Sequence, residues 1–259
     1  MNTVGEAPRI QTVADPTAAS ELAAAHIAAT LSAAVAARGV AHWATTGGSA
    51  APGIYRALVA DAMRDVVPWP DVHVWWGDDR FVPRDHPLSN VKPLDDVLRG
   101  NVPLAPGHLH PIRMTEAISA ERDPSWAADA LTMDLRAAGL AGVGGLPVLD
   151  LVILGIGGDG HVMSVFPDSS AFDAPSDAWG LAIPAPTHIE PHVERVTMHP
   201  GVIGAARDVL VVATGEGKAD VLADVFGPVR DAGRWPAQLA LHERCTWILD
   251  EAAAARLQP

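Results

Sequence analysis

The stretch from Asp150 to Asp168, DLVILGIGGDGHVMSVFPD, decides how this chain is read. An apolar run, Leu151 to Leu154, leads into a glycine-rich turn, and His161 follows the turn at once. Gly155-Ile156-Gly157-Gly158-Asp159-Gly160 fits the letters of the dinucleotide fingerprint G-x-G-x-x-G. That fingerprint needs a long helix directly after it, with the pyrophosphate on the helix N-terminus. Pro167 leaves room for barely two helical turns after Gly160. No acidic residue ends a second strand about twenty residues on, where the ribose ligand belongs. The stretch is therefore a buried strand ending in a backbone turn that presents one imidazole.

Working outward, short apolar strands alternate with helices. Pro16 to Arg38 is alanine-rich and ends at Gly39, the punctuation of a long helix. Val40–Thr46 reads as a strand and Ala50–Arg64 as a helix, with Ser49 as its cap and Pro52 in its first turn. Val72–Trp76 is a second strand, in which Trp75 and Trp76 read as core. Pro83–Pro111 is a long loop with a short helix near Leu94–Arg99; Trp126–Ala138 is helical, and Gly142–Gly145 is a link. Strands are expected at Val148–Leu154, Trp179–Ile183, Arg195–Met198, Val209–Ala213 and Thr246–Leu249, the last closing the sheet. Ala219–Val225 and Glu251–Leu257 read as helices. The pattern predicts one α/β domain over 1–259, Rossmann-like, with a mostly parallel sheet covered by helices on both faces.

Composition narrows the function. A net charge of −13 argues against binding to nucleic acid or to an anionic membrane. An acidic protein still binds a phosphorylated small molecule if a few cations are locally placed. Lysine occurs only at Lys92 and Lys218, so a lysine in a strand-end cluster stands out. Cys245 is the single cysteine, which excludes an intrachain disulfide and points to a reducing compartment. Charges at Glu6, Arg9, Asp15 and Glu21 break any signal sequence, and no apolar run approaches the ~18 residues of a membrane span. A soluble, cytoplasmic protein is expected.

Four polar clusters follow strands directly, and in open α/β sheets ligands bind beyond the strand carboxyl ends. Thr46-Gly47-Gly48-Ser49 offers backbone N–H groups to an anion, or is an ordinary capped turn. Asp78-Asp79-Arg80 sets a guanidinium beside two carboxylates, able to clamp a phosphate or simply to form a solvated cluster. His161 is a candidate general base, since an unperturbed imidazole titrates near pH ~6.5, and Asp159 is placed to orient it. Gly215-Glu216-Gly217-Lys218 puts an ammonium at a helix start, which the helix dipole disfavours unless an anion offsets it. Arg195 serves equally as a buried ion-pair partner or a substrate contact. His188, Glu190, His192 and Glu194 do not read as a metal site, because Pro184, Pro186 and Pro191 break the helix that a paired ligand motif needs.

In chain order these segments resemble the 6-phosphogluconolactonase family. The matching stretches are TTGGSAAPGIYRAL (Thr45–Leu58), WGDDRFVP (Trp76–Pro83), Ser89-Asn90, DLVILGIGGDGHVMSVFPDS (Asp150–Ser169), RVTM (Arg195–Met198) and VVATGEGKADVL (Val211–Leu222). The resemblance implies hydrolysis of 6-phospho-D-glucono-1,5-lactone in the pentose phosphate pathway, without metal or cofactor. It implies catalysis by His161 and Asp159, with substrate and phosphate held by Gly47, Gly48, Ser49, Asp79, Arg80, Arg195 and Lys218. It implies a monomer or weak homodimer whose partner is a sugar phosphate, not a nucleic acid or a membrane. The sequence departs from the family at Asp79, usually Glu, at Met198-His199-Pro200 and at Trp235-Pro236. Two alternatives remain open. Glucosamine-6-phosphate deaminases share the GGS and GDGH turns but carry a glutamate shortly after the histidine, where this chain has Ser164-Val165-Phe166-Pro167. A non-catalytic sugar-phosphate-binding domain has no need of His161.

Overall fold

The computed structural model describes residues 7–140 and 142–257, so both ends of the domain expected over 1–259 lie outside it. Among the described residues the strands are β1 (Arg9–Val13), β2 (Ala41–Thr45), β3 (Val72–Trp76), β4 (Asp78–Arg80), β5 (Leu109–His110), β6 (Gly142–Val143), β7 (Leu146–Pro147), β8 (Leu151–Leu154), β9 (Gly180–Ile183), β10 (Arg195–Met198), β11 (Val209–Ala213) and β12 (Cys245–Asp250). Seven of them form the main sheet in the order β1-β12-β11-β8-β2-β3-β5. Every pairing in it is parallel. After β2 the chain builds outward through β3 to β5, then returns to β8 and builds the other way through β11 to β12. β2 and β8 are therefore neighbours whose outgoing connections diverge, and a crevice opens at their carboxyl ends.

The local chemistry explains the framework. The long helix runs from Pro16 to Arg38, with Asp15 Oδ1 accepting from the amides of Thr17 and Ala18 at 2.8 and 2.9 Å. Such a cap contributes about 1 kcal/mol. Gly39 ends it in the left-handed conformation at φ 75°. At mean hydropathy 1.3 this helix is long and apolar enough to cross a bilayer, contrary to the expectation from sequence. In the fold its stripe of Ala23, Ala24, Ile27, Leu31 and Ala34 is buried in the core instead. Trp43, Trp75, Trp76 and Trp247 are also buried there, each contributing on the order of 1.5–3 kcal/mol on leaving water.

Several expectations need correction. Ser49 does not cap a helix: Ala50 precedes the helix Ala51–Val59 with helical dihedrals and no side-chain cap, and the helix stops five residues short of Arg64. Cys245–Asp250 is not the edge of the sheet, because Arg9–Val13 pairs beyond it. Gly142–Gly145 belongs to a small hairpin of β6 and β7 rather than a plain link. Asp78–Arg80 is itself a strand. It joins β10 and β9 in a separate antiparallel sheet, with Arg80 opposite Arg195 and Asp78 opposite Thr197. β4 has three residues, too few for a periodicity to stand out, whereas β9 and β10 fall where strands were expected.

Candidate active site

The turn after β8 is shaped around the histidine. Gly157 N–H donates to the His161 carbonyl at 2.9 Å, and Gly160 N–H donates to the Gly157 carbonyl at 3.1 Å. Gly160 adopts φ 87°, which a side chain rarely tolerates. The coil closes so tightly that a Cβ on Gly157 would fall 2.0 Å from His161 Nδ1. His161 Nδ1 lies 2.6 Å from Asp159 Oδ1, which also accepts from the His161 amide at 3.1 Å. With Nδ1 held by the carboxylate, Nε2 is the nitrogen left for chemistry in the cleft that His161 lines. Burial pushes the Asp159 carboxyl up, but hydrogen bonds from His161 and His188 outweigh it and hold the group well below the usual carboxylate range. Asp159 is thus ionised wherever the imidazole can work as a base.

The cleft, about 170 Å³, opens at the carboxyl ends of β2 and β8, where the topology reverses. The turn Thr46–Ser49 forms one wall. Tyr55, the only tyrosine, pins it by bonding Thr45 Oγ1 at 2.8 Å and donating to the Thr46 carbonyl at 3.1 Å. Lys218 enters from the segment after β11, and its Nζ donates to the Ile156 carbonyl at 2.7 Å. Burial lowers the pKa of this ammonium, while the Asp159 charge pulls against that. Arg80 lines the cleft from β4, donating from one terminal nitrogen to the Leu88 carbonyl at 2.8 Å. The clusters after β2, β3, β8 and β11 therefore meet at one place.

Two site residues stand elsewhere than expected. Asp79 does not line the cleft; it is 1% exposed, and its carboxylate accepts from Arg80 N–H, Asn90 N–H and Ser89 Oγ. Burial pushes it up to about 7 in spite of those bonds. Its work is to hold the loop that delivers Asn90. Arg195 is buried beside the cleft, stacks over Phe166 at 5.3 Å and donates to the Pro191 carbonyl. Burial and the neighbouring Arg80 charge both lower its pKa. Among the described residues neither Arg80 Nε nor Arg195 Nε meets an acceptor, although both atoms are buried. A buried donor left without a partner costs about 1–3 kcal/mol, and paired guanidiniums of this kind suit an anion.

Two further residues belong to the site. Asn90 lines the cleft, its side-chain amide donating to the Asp78 carbonyl and carboxylate and its backbone carbonyl accepting from the Trp76 indole N–H. A Cβ on Gly47 would land 1.9 Å from Asn90 Oδ1, so the glycine is required by the asparagine. Asp78 also lines the cleft, fixed by Ser164 Oγ at 2.6 Å. The Ser89-Asn90 pair was visible in sequence, but its role depends on the buried Asp79 beneath it. The histidines considered as ligands diverge: His188 meets Asp159, whereas His192 meets Glu190 and the Pro186 carbonyl.

A profile of the family described as glucosamine-6-phosphate isomerases/6-phosphogluconolactonase matches residues 14–247. The chain belongs to this family. It is 30% identical over 255 residues to a 6-phosphogluconolactonase of Streptomyces coelicolor, covering 98% of this chain and 96% of that one. It is 33% identical to the 6-phosphogluconolactonase of Mycobacterium tuberculosis over 230 residues, covering 88% and 89% of the two chains. The solved structure of 6-phosphogluconolactonase from Trypanosoma brucei superposes with a TM-score of 0.83 at 25% identity, covering 97% of this chain and 99% of that one. A monomeric glucosamine-6-phosphate deaminase shares the fold, with a TM-score of 0.79 at 17% identity over 96% of this chain and 99% of that one.

Proposed function

We propose that this chain hydrolyses 6-phospho-D-glucono-1,5-lactone to 6-phosphogluconate in the oxidative pentose phosphate pathway, with His161 as general base. The observation that carries the reading is the His161–Asp159 pair, 2.6 Å apart, opening on the same cleft as Lys218, Arg80 and the Gly47–Gly48–Ser49 turn. The cleft thus combines a base for water with cations for a phosphate. His161 Nε2 takes a proton from water as the oxygen attacks the lactone carbonyl carbon. The resulting tetrahedral oxyanion then collapses, the bond from that carbon to the ring oxygen breaks, and the imidazolium returns its proton to the departing oxygen. Proton transfer of this kind contributes typically about 10²–10⁴-fold. Asp159 holds the tautomer and stabilises the imidazolium by its charge. Arg80, Lys218 and the turn amides hold the phosphate, with Arg195 behind Arg80.

The same reading takes residues 1–259 as one domain, supported by a single contiguous cluster of buried apolar side chains. It takes the protein as cytoplasmic and as a monomer or weak homodimer. The deaminase alternative lacks its carboxylate, since Ser164 follows the histidine and spends its hydroxyl on Asp78. The test is turnover of freshly generated lactone, which also hydrolyses unaided, measured with and without the protein. Loss faster than background with no ammonia released from glucosamine 6-phosphate is expected. Ammonia release, or loss only at the background rate, would overturn the reading.

A further inference from the structure

His188 lies on the proline-rich loop between β9 and β10, and the mechanism above leaves it unused. Its Nε2 is 2.8 Å from Asp159 Oδ2, on the carboxylate oxygen that His161 does not use. Its ring stands edge-on to Phe166, with centroids 5.8 Å apart at 87°. Phe166 in turn packs against the His161 ring at 4.7 Å. The loop is tied at its base: Arg195 donates to the Pro191 carbonyl at 3.0 Å and Phe81 N–H to the Glu194 carbonyl at 2.8 Å. His192 Nδ1 lies 2.7 Å from the Pro186 carbonyl and closes the loop internally. An imidazole 49% exposed is thus brought to a half-buried carboxylate by a loop tied down where it enters β10.

We propose that His188 is a positioning residue for the base, donating from Nε2 to Asp159 Oδ2 and so fixing the carboxylate that orients His161. The inference rests on the reading of His161 as the base. Both of Asp159's bonds within its own turn fall on Oδ1, so among the described residues the second oxygen has His188 alone to stop the carboxylate rotating. Supporting groups of this kind hold a reacting side chain within the narrow tolerance that catalysis needs. His188 also shares the carboxylate's charge. Besides the two imidazoles, Arg195 and Lys218 feel that charge, and Glu190 and His192 lie on the loop itself. Removing His188 frees Oδ2 and lets the carboxylate turn out of line with His161 Nδ1.

The experiment compares His188→Ala, His188→Gln and His161→Ala in the full chain, by kcat and KM for the phosphorylated lactone. Loss of a hydrogen bond to a charged group typically costs roughly 10–100-fold. The expected result for His188→Ala is a kcat lower by about that factor with KM within about twofold. His188→Gln, whose amide can donate to the same oxygen, recovers most of the rate. An unchanged kcat, a raised KM at unchanged kcat, or a Gln variant no better than Ala would overturn the proposal. Full activity in His161→Ala would instead remove the reading beneath it, so the two failures are distinct.

Discussion

Gly157 and His161 cannot both carry a side chain in this turn: a Cβ on Gly157 would sit 2.0 Å from the imidazole Nδ1 and 2.7 Å from Asp159 Oδ1. The glycine is the floor on which the base stands. Gly157→Ala must therefore push the imidazole away from its carboxylate. A displacement of about 1 Å in a reacting group costs on the order of 10²-fold. The expected outcome is a kcat reduced by about that factor, read by steady-state kinetics, with the fold retained by far-ultraviolet circular dichroism.

Asp159→Asn keeps the size of the side chain and removes its charge. The amide no longer forces the proton onto His161 Nδ1, and it stabilises the imidazolium less. A fall in kcat of at least about 10²-fold, with KM nearly unchanged, is expected because the interaction matters in the transition state more than in binding. A large rise in KM alone would place Asp159 on the substrate instead.

Lys218→Met tests the phosphate side. The variant keeps the stem of the side chain and loses a cation that lies in the cleft. Charged hydrogen bonds contribute about 1.5–3 kcal/mol, so kcat/KM for the phosphorylated lactone should fall roughly 10–100-fold. Turnover of the unphosphorylated lactone should show little loss. Equal losses on both substrates would move Lys218 from the phosphate to the reacting carbonyl.

Sensitivity to acid has a separate source, outside the cleft. His73 and His110 stack nearly parallel and bond through Nδ1 and Nε2 at 2.9 Å. Burial, followed by neighbouring histidines, pushes both down to about 4. A folded pKa below the unfolded ~6.5 means that the unfolded chain binds more protons between those values. The stability they contribute is complete above pH ~6.5 and is lost as pH falls through about 4. Asp79 has the opposite sign: burial raises it to about 7, so its contribution is lost as pH rises toward that value. Comparing wild type with His110→Gln at each pH cancels the Asp79 effect. Between pH 7 and 5, Tm should drop less in the variant.

The sequence made the site legible where its parts are contiguous. Gly157, Asp159 and His161 fall within one turn, and a proline close behind it excluded the nucleotide-binding alternative. Arg80 and Lys218 were legible because each follows a strand in the same sense. Asn90 was quoted only as part of a family match, since its place depends on Asp79 from another strand and on the empty side of Gly47. Asp79 itself was misassigned: its neighbour Arg80 faces the cleft, and alternation along β4 turns Asp79 the other way. The sheet edge at Arg9–Val13 escaped notice because only one face of that strand is covered and its residues are mostly polar or exposed. Ser49 looked like a cap by residue type alone, but the helix begins two residues later and the serine belongs to the cleft wall.

The most direct measurement is the rate of loss of freshly formed 6-phospho-D-glucono-1,5-lactone with wild type, with His161→Ala and with no protein. The account predicts rapid loss with wild type and a rate lower by at least about 10²-fold with the variant, approaching the uncatalysed reaction. A His161→Ala protein that hydrolyses the lactone at close to the wild-type rate would contradict the central claim.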